Sequence, residues 1–244
     1  MLSSLQQMLE HRRLWRARDN HIAGSDTVAT GWRHLDAALL NAGWPRAALS
    51  EILCAQPELA VRLLQPVLAQ CTQRKRLLVW VTMPWLPYAP AWQKLGVNLS
   101  RVLVVNAPGK NSLWAVEQAL RLARGAVVVS SMDQLDLNRS RRLQLAAQAG
   151  ESMVFLLRPL SALNEANAAS VRLQLETHPL GLKISVHKRR GAYALAPFIL
   201  KTKKTDTRWP ARPILPPEIS ARSQELALSW PLVSATSESV NVWQ

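Results

Sequence analysis

The first place where the chain has the spacing for chemistry is a predicted strand at residues 48–53, followed by a loop and a helix that begins at Pro57. Such a loop binds nucleotide phosphates when glycines turn backbone N–H groups inward and a lysine reaches the terminal phosphate. Here no glycine occurs between Gly43 and Gly96. Pro57 lacks an amide donor, and Glu58 places a negative charge near the phosphate position. The sequence therefore predicts that this loop binds no ATP.

Two other positions that serve phosphoryl transfer are also unsuited to it. The buried strand at residues 126–129 continues into Ser130 and Ser131, with no aspartate to organise Mg²⁺. The strand at residues 77–81 ends in Thr82-Met83-Pro84, with no glutamate to activate water. The five histidines are scattered, without the spacing of a metal site, and no nucleophile motif is present. We expect a protein that is not an enzyme and holds no cofactor or metal.

Composition indicates a folded protein with an anionic partner. Of 244 residues, 48% are apolar and 19% charged, and Lys+Arg 30 against Asp+Glu 16 gives a net charge of +14. Such a charge favours nucleic acid or an acidic protein surface, the alternative being a solvated basic surface with no dedicated ligand. Cys54 and Cys71 lie in apolar stretches and are predicted to be buried thiols in a reducing compartment. Without a secretory signal or a membrane span, a cytoplasmic protein is expected.

The elements that would position these residues alternate between strands and helices. Strands are predicted at 48–53, 77–81, 102–105, 126–129 and 153–157, and helices at 57–73, from Ser112 and at 139–149. This alternation is typical of βαβ units around a mostly parallel sheet covered on both faces. Two period-two segments flank Pro179-Leu180-Gly181 and predict a C-terminal β-hairpin, with a further edge strand within 193–200. Pro66 is expected to kink or split its helix, and Asp133 and Asp136 to cap the last helix.

The chain divides into three regions. Residues 1–25 are predicted to form an N-terminal helix and a polar linker, and residues 26–200 the α/β core. Residues 201–244 are rich in Lys, Thr, Ser and Pro and are predicted to be a mostly disordered, flexible tail.

Several groups of residues in the core resemble RecA recombinases. Three resemble the entry to the nucleotide site: Thr30-Gly31-Trp32-Arg33-His34-Leu35-Asp36, Gly43-Trp44-Pro45-Arg46 and Leu49-Ser50-Glu51-Ile52. Lys94-Leu95-Gly96-Val97, followed by the strand at 102–105, resembles the corresponding later strand of that fold. Over about residues 2–200 the chain resembles the ImuA family, RecA-like accessory proteins of the bacterial mutagenic translesion-synthesis cassette. Over about residues 48–162 it is also similar to SulA, a family of cell-division inhibitors. The marks of that similarity are Leu63-Leu64-Gln65-Pro66-Val67-Leu68 and Phe155-Leu156-Leu157-Arg158-Pro159-Leu160-Ser161-Ala162.

These resemblances imply a RecA-like three-layer αβα core that lacks the phosphate loop, and two alternative functions. The ImuA resemblance implies a non-catalytic accessory protein of SOS-induced translesion DNA synthesis, which binds ImuB, an error-prone DNA polymerase and RecA. The SulA resemblance implies an inhibitor that blocks FtsZ polymerisation. The net charge adds direct, weak DNA contact as a third class of interaction. No membrane partner is expected.

Basic and aromatic residues near the C-terminus are the candidate binding residues. Lys188, Arg189 and Arg190 follow the hairpin, and Lys201, Lys203 and Lys204 are predicted to extend the same basic patch. Trp209, Trp230 and Trp243 lie in the predicted tail, where aromatic anchors suggest a peptide that docks into a groove of a partner. The alternatives are a solvated charge run and a tail that folds back on its own core. Among the other tryptophans, Trp80 and Trp114 are predicted to be buried, and Trp85 and Trp92 to be exposed on a loop.

Overall fold

The computed structural model of the protein describes residues 27–39, 43–109, 111–189, 195–201 and 240–242. Its strands are β1 (Thr27–Val28), β2 (Trp44–Pro45), β3 (Ala48–Cys54), β4 (Leu78–Val81), β5 (Val102–Val105), β6 (Val127–Ser131), β7 (Met153–Arg158), β8 (Val171–His178), β9 (Gly181–Arg189), β10 (Phe198–Lys201) and β11 (Val240–Val242). Its helices are α1 (Arg33–Ala38), α2 (Pro57–Gln73), α3 (Ala89–Lys94), α4 (Asn111–Leu122) and α5 (Leu137–Ala149), with 3-10 turns at Leu99–Arg101 and Leu160–Asn164. The predicted alternation of strands and helices is confirmed.

A nine-stranded mixed sheet forms the centre of the fold, in the order β10-β9-β8-β3-β7-β6-β4-β5-β11. The six strands from β8 to β5 are parallel, whereas β9, β10 and β11 add antiparallel pairings at the two sides. The predicted hairpin is β8–β9, and β10 is the predicted edge strand. Strands β1 and β2 pair separately.

Helices cover both faces of this sheet. Buried residues of α1, α2 and α3 pack on one face, in a cluster that includes Leu35, Leu64 and Trp92. Buried residues of α4 and α5, such as Val116 and Leu143, pack on the other face. Parallel strands buried on both sides explain the apolar runs of β6 and β7. The α/β class predicted from the sequence is confirmed. No helix in the described part of the chain is long and apolar enough to cross a bilayer.

Helix α2 continues through Pro66, so it is not split there. Buried side chains on both sides of the proline, among them Leu63, Leu64 and Val67, anchor the helix to the sheet on each flank. Gly31 packs against the proline ring, and a Cβ at Gly31 would lie 2.3 Å from Pro66 Cβ. Packing therefore offsets the hydrogen bond that proline removes from the helix.

The burial of two tryptophans was predicted wrongly from the sequence. Trp114 was predicted to be buried, but it lies on the outer side of α4 with 57% of its surface exposed. Trp92 was predicted to be exposed, but α3 folds over the sheet and buries it against Trp80, with 4.8 Å between the ring centroids. Trp80 is buried as predicted, and Trp85 is half-buried beside it.

A strand also occurs in the segment that was predicted to be a flexible tail. Strand β11 pairs with β5, so that Val240 lies opposite Val105 and Val242 opposite Leu103. Strand β5 is the last of the parallel strands and has an edge that can accept this pairing. The remaining tail residues, 202–239 and 243–244, lie outside the described residues, as does the whole N-terminal region 1–25.

Candidate functional site

The connection between β3 and α2 occupies the position of a phosphate loop, and its sequence lacks the glycines and lysine that such a loop needs. Strand β3 ends at Cys54 and α2 begins at Pro57, so only Ala55 and Gln56 connect them. Gln56 occupies the N-cap position without a side-chain capping bond. A phosphate loop wraps several consecutive amides around the anion, and two residues cannot do so. Burial raises the pKa of the Cys54 thiol to about 11, which keeps this thiol protonated and unreactive near neutral pH.

A buried ionic cluster lies on the same strands, and sequence reasoning did not find it. Glu51, on β3, is fully buried between two arginines. Arg158 Nη1 donates to Glu51 Oε1 at 3.2 Å, and Arg172 Nε lies 2.7 Å from Glu51 Oε2. The second contact is an ion pair without good hydrogen-bond geometry, because the Nε–H is not directed at the oxygen. Arg158 Nη2 also donates to Glu165 at 2.8 Å.

The two arginines of this cluster hold two connections, the one that follows β6 and the one between β7 and β8. Arg158 donates to the carbonyls of Met132 and Asp133, at 3.2 Å and 3.0 Å. Arg172 donates to the carbonyls of Ala162, Leu163 and Glu165. Both guanidinium groups therefore donate to oxygens of the protein itself, and these buried side chains are not accessible to a substrate. One charged residue within the otherwise uncharged run 48–54 was the available sequence signal for this cluster.

The most exposed apolar side chains of the helical layer lie on the outer sides of α4 and α5. Trp114, Leu122 and Leu145 have 57%, 81% and 63% of their surface exposed. Arg121 and Arg141 are exposed beside them and have no ion-pair partner among the described residues. We call these five residues the outer face. Tryptophan and arginine are enriched among the residues that contribute most to protein–protein binding.

The outer face is held by contacts between its two helices. Arg142 Nη2 donates to Glu117 Oε2 at 2.7 Å, across from α5 to α4. Asp136 caps α5, its Oδ1 accepting from the N–H of Arg139 at 2.8 Å. The prediction that Asp136 caps this helix is confirmed.

The basic residues predicted to form one patch near the C-terminus are separated by the structure. Lys188 and Arg189 lie at the end of β9, whereas Lys201 pairs with Gly181 at the start of β9. Seven residues of strand separate Lys188 from Gly181, about 23 Å. The prediction that Lys201 extends the first patch is therefore wrong, because the antiparallel pairing of β10 places it at the opposite end.

Lys188 and Arg189 also make contacts within the fold. Lys188 Nζ donates to the carbonyl of Asn167 at 3.3 Å, and Arg189 Nη1 donates to the carbonyl of Ala38 at 2.7 Å, near the end of α1. Burial and the nearby Arg172 lower the pKa of Lys188. A binding role for these two residues stays a prediction. The other predicted binding residues lie outside the described residues: Arg190, Lys203, Lys204, Trp209, Trp230 and Trp243.

Metal binding has no support in this part of the molecule. Across the described ranges, no three His, Cys, Asp or Glu side chains come together as a metal-binding group.

Comparison with known proteins gives one consistent family. The family model described as "Cell division inhibitor SulA" matches residues 48–154, from β3 into β7. The Cell division inhibitor SulA of Citrobacter koseri is 33% identical over 132 residues, which are 53% of this chain and 72% of that protein. The proteins of the same name from Klebsiella aerogenes and Edwardsiella piscicida are 35% and 33% identical, over 43% of this chain. The matched part of the chain spans 63% of the length of each of these two.

Among solved structures, the chain is similar to the crystal structure of SulA from Pseudomonas aeruginosa. The sequences are 30% identical, the match covers 46% of this chain and 98% of that one, and the TM-score is 0.40.

Proposed function

The chain belongs to the SulA family, and from this premise we propose that it inhibits cell division by binding FtsZ and blocking its polymerisation. It does so as a non-catalytic protein that acts in the cytoplasm during the SOS response to DNA damage. The observation that carries the proposal is the span of the family match, residues 48–154. That span contains both the two-residue connection between β3 and α2 and the whole outer face.

The outer face is the FtsZ contact in this proposal. Its aromatic and apolar side chains are free to be buried by a partner, and its two unpaired arginines favour an acidic surface. Exposed tryptophans at such sites contribute about 2 kcal/mol or more when truncated. Trp114→Ala is therefore expected to raise the Kd by about 30-fold, since 1.4 kcal/mol corresponds to a factor of ten.

The test is sedimentation of purified FtsZ polymers with GTP, at increasing concentrations of this protein. The natural protein is expected to reduce the polymer pellet, and Leu145→Ala to weaken that effect. Leu180→Ala is the matched control: Leu180 is exposed to 57%, close to the 63% of Leu145, but lies on the β8–β9 turn outside the family match. A normal pellet with the natural protein would refute FtsZ inhibition. Equal effects of the two leucine variants would refute the outer face as its site.

A second candidate function is favoured by the part of the fold that lies outside the family match. The sheet continues beyond residue 154 with β8, β9 and β10, and β1, α1 and β2 precede the matched region. An accessory role in translesion synthesis uses this larger core, which we propose to be RecA-like. The partners are then ImuB, an error-prone polymerase and RecA, with the tail as the docking peptide.

Co-purification with ImuB from damaged cells distinguishes the second candidate from the first. The natural protein is expected to retain ImuB, and a variant with Trp209, Trp230 and Trp243 changed to alanine to lose it. Trp114→Ala serves as the control, because it removes a tryptophan from the outer face and leaves the tail unchanged. If the natural protein retains no ImuB, this second function is excluded, whatever the FtsZ assay shows.

A further inference from the structure

A group of basic residues lies at the edge of the sheet where β4, β5, β6 and β7 begin. The first residues of these strands are in register: Leu78 pairs with Val102 and Val127, and Val127 pairs with Met153. The residues just before each strand therefore lie side by side, with about 4.8 Å between neighbouring strands. The four short segments are residues 74–77, 95–101, 123–126 and 150–152. They contain five cations and one acid: Arg74, Lys75, Arg76, Arg101, Arg124 and Glu151.

We call the five cations the basic edge. Arg74, Lys75 and Arg101 are exposed and have no ion-pair partner among the described residues. Arg124 pairs with Glu151, the one acid of these segments, in an exposed salt bridge. Arg76 Nη1 donates to the carbonyl of Gly125 at 3.4 Å, which joins the segments before β4 and β6. The basic edge thus holds an excess of positive charge on short connections between packed elements.

A surface cavity of about 340 Å³ is lined in part by residues that directly precede two of these cations. Six residues line it, four with amide or hydroxyl side chains and none acidic: Gln73, Gln93, Val97, Asn98, Leu99 and Ser100. Gln73 is followed directly by Arg74, and Ser100 by Arg101, so each of these exposed arginines is next in sequence to a residue of the cavity wall. Gln73 Nε2 donates to the carbonyl of Gly96 at 2.9 Å, and Asn98 Oδ1 accepts from Ser100 N–H at 3.1 Å. These bonds fix the wall of the cavity.

We propose that the basic edge binds the phosphate backbone of nucleic acid without reading its sequence. Neutral amide and hydroxyl groups next in sequence to two arginines suit a phosphate and its sugar, which accept hydrogen bonds at several oxygens. A protein partner is disfavoured, because these four segments expose no large apolar side chain to serve as an anchor. The exposed apolar residue nearest to these segments in sequence is Leu122, at the end of α4, and it belongs to the outer face. This activity is additional to the proposed contact with FtsZ.

The size of the effect follows from the counterions that each phosphate contact releases. For duplex DNA the logarithm of affinity falls with the logarithm of salt concentration with a slope of about −0.9 per phosphate contact. Removing Arg74 and Arg101 therefore makes the slope shallower by about 1.8. At 0.15 M salt, relative to 1 M, the two contacts correspond to a factor of about 30 in affinity.

The experiment is a fluorescence anisotropy titration of a labelled 20-base-pair duplex, between 0.05 M and 0.2 M salt, with the full chain. Arg74→Gln/Arg101→Gln is expected to weaken DNA binding about 30-fold at 0.15 M salt, and to make the dependence of affinity on salt concentration less steep. The control Arg33→Gln/Arg139→Gln removes the same charge from exposed cations on α1 and α5. It is expected to keep the slope within half a unit.

Further titrations distinguish binding of nucleic acid from binding of an acidic polypeptide or a lipid surface, and from the proposed contact with FtsZ. Polyglutamate and phosphatidylserine vesicles replace the duplex in parallel titrations, and FtsZ sedimentation is repeated with the Arg74→Gln/Arg101→Gln variant. Unchanged FtsZ inhibition with weakened DNA binding supports a separate nucleic-acid surface. Absence of DNA binding at 0.05 M salt, equal losses in the two double variants, or tighter binding of polyglutamate or vesicles than of DNA would each overturn the proposal.

Discussion

Replacing Glu51 by glutamine keeps the shape of the side chain but removes the only fully buried acid between Arg158 and Arg172. Both guanidinium groups are withdrawn from water: the side chain of Arg158 is 0% exposed and that of Arg172 is 7% exposed. Glu165 then remains as the other carboxylate near Arg158, and its side chain is 46% exposed. The variant leaves two buried cations with one half-exposed acid.

The expected cost is that of a broken buried ion pair, about 3–5 kcal/mol in the free energy of unfolding. For a chain of this size each kcal/mol lowers Tm by about 2–4 °C, so a fall of roughly 6–20 °C is expected. Most of this cost is the desolvated charge that remains, and not the lost attraction itself.

Thermal unfolding followed by circular dichroism, with urea unfolding in parallel, measures this cost. Glu151→Gln is the matched control, because it removes the acid of an exposed salt bridge with Arg124 and is expected to leave Tm unchanged. Equal Tm values for the natural protein and Glu51→Gln would show that water or rearrangement compensates the two arginines, and the account of this cluster would be wrong.

Three further predictions concern single residues. Cys54 is expected to resist a thiol reagent at pH 8 until denaturant is added, and rapid labelling of the folded protein would contradict its burial. Because its folded pKa of about 11 exceeds the ordinary thiol pKa of 9.0, Cys54 ionises first in the unfolded chain; its contribution to stability is present below pH 9 and is lost as pH rises towards 11. Asp136→Ala is expected to cost about 1 kcal/mol through loss of the α5 cap, while Asp133→Ala, with no such side-chain bond, leaves the urea midpoint unchanged. Gly150→Ala is expected to lower Tm, because its Cβ would lie 1.8 Å from the carbonyl oxygen of Leu120; an unchanged Tm would show that the backbone yields freely.

The parts of the fold that the sequence predicted well are those with strong periodicity. The buried runs that became β3, β5, β6 and β7, and the period-two hairpin β8–β9, were predicted within one or two residues, because the hydrophobic pattern itself reports which faces are covered. The sequence left open whether Pro66 kinks or splits α2; the helix is not split, since packing on both sides outweighs the low helix propensity of one proline.

The candidate site was predicted less completely, because it depends on which residues become neighbours. Trp114 was predicted to be buried, but it lies two residues before Val116, on the side of α4 opposite the buried Val116 and Leu120, so the helix period itself directs it outward. The basic edge joins residues that are up to about 50 positions apart, and strand register alone brings them together. The ionic cluster around Glu51 likewise requires β7 and β8 to flank β3. The lack of glycine and lysine in the connection between β3 and α2 is a local feature, so it could be identified from the sequence alone.

The central place of β3 has a consequence for synthesis of the protein on the ribosome. Its two neighbours are β7 and β8, so about 100 residues must follow Cys54 before either partner exists. At 5–20 residues per second, the apolar segment 48–54 waits roughly 5–20 s without its sheet neighbours. During that interval the unpaired apolar segment is exposed to chaperones and proteases, so slower translation of residues 55–158 is expected to lower the yield of folded protein.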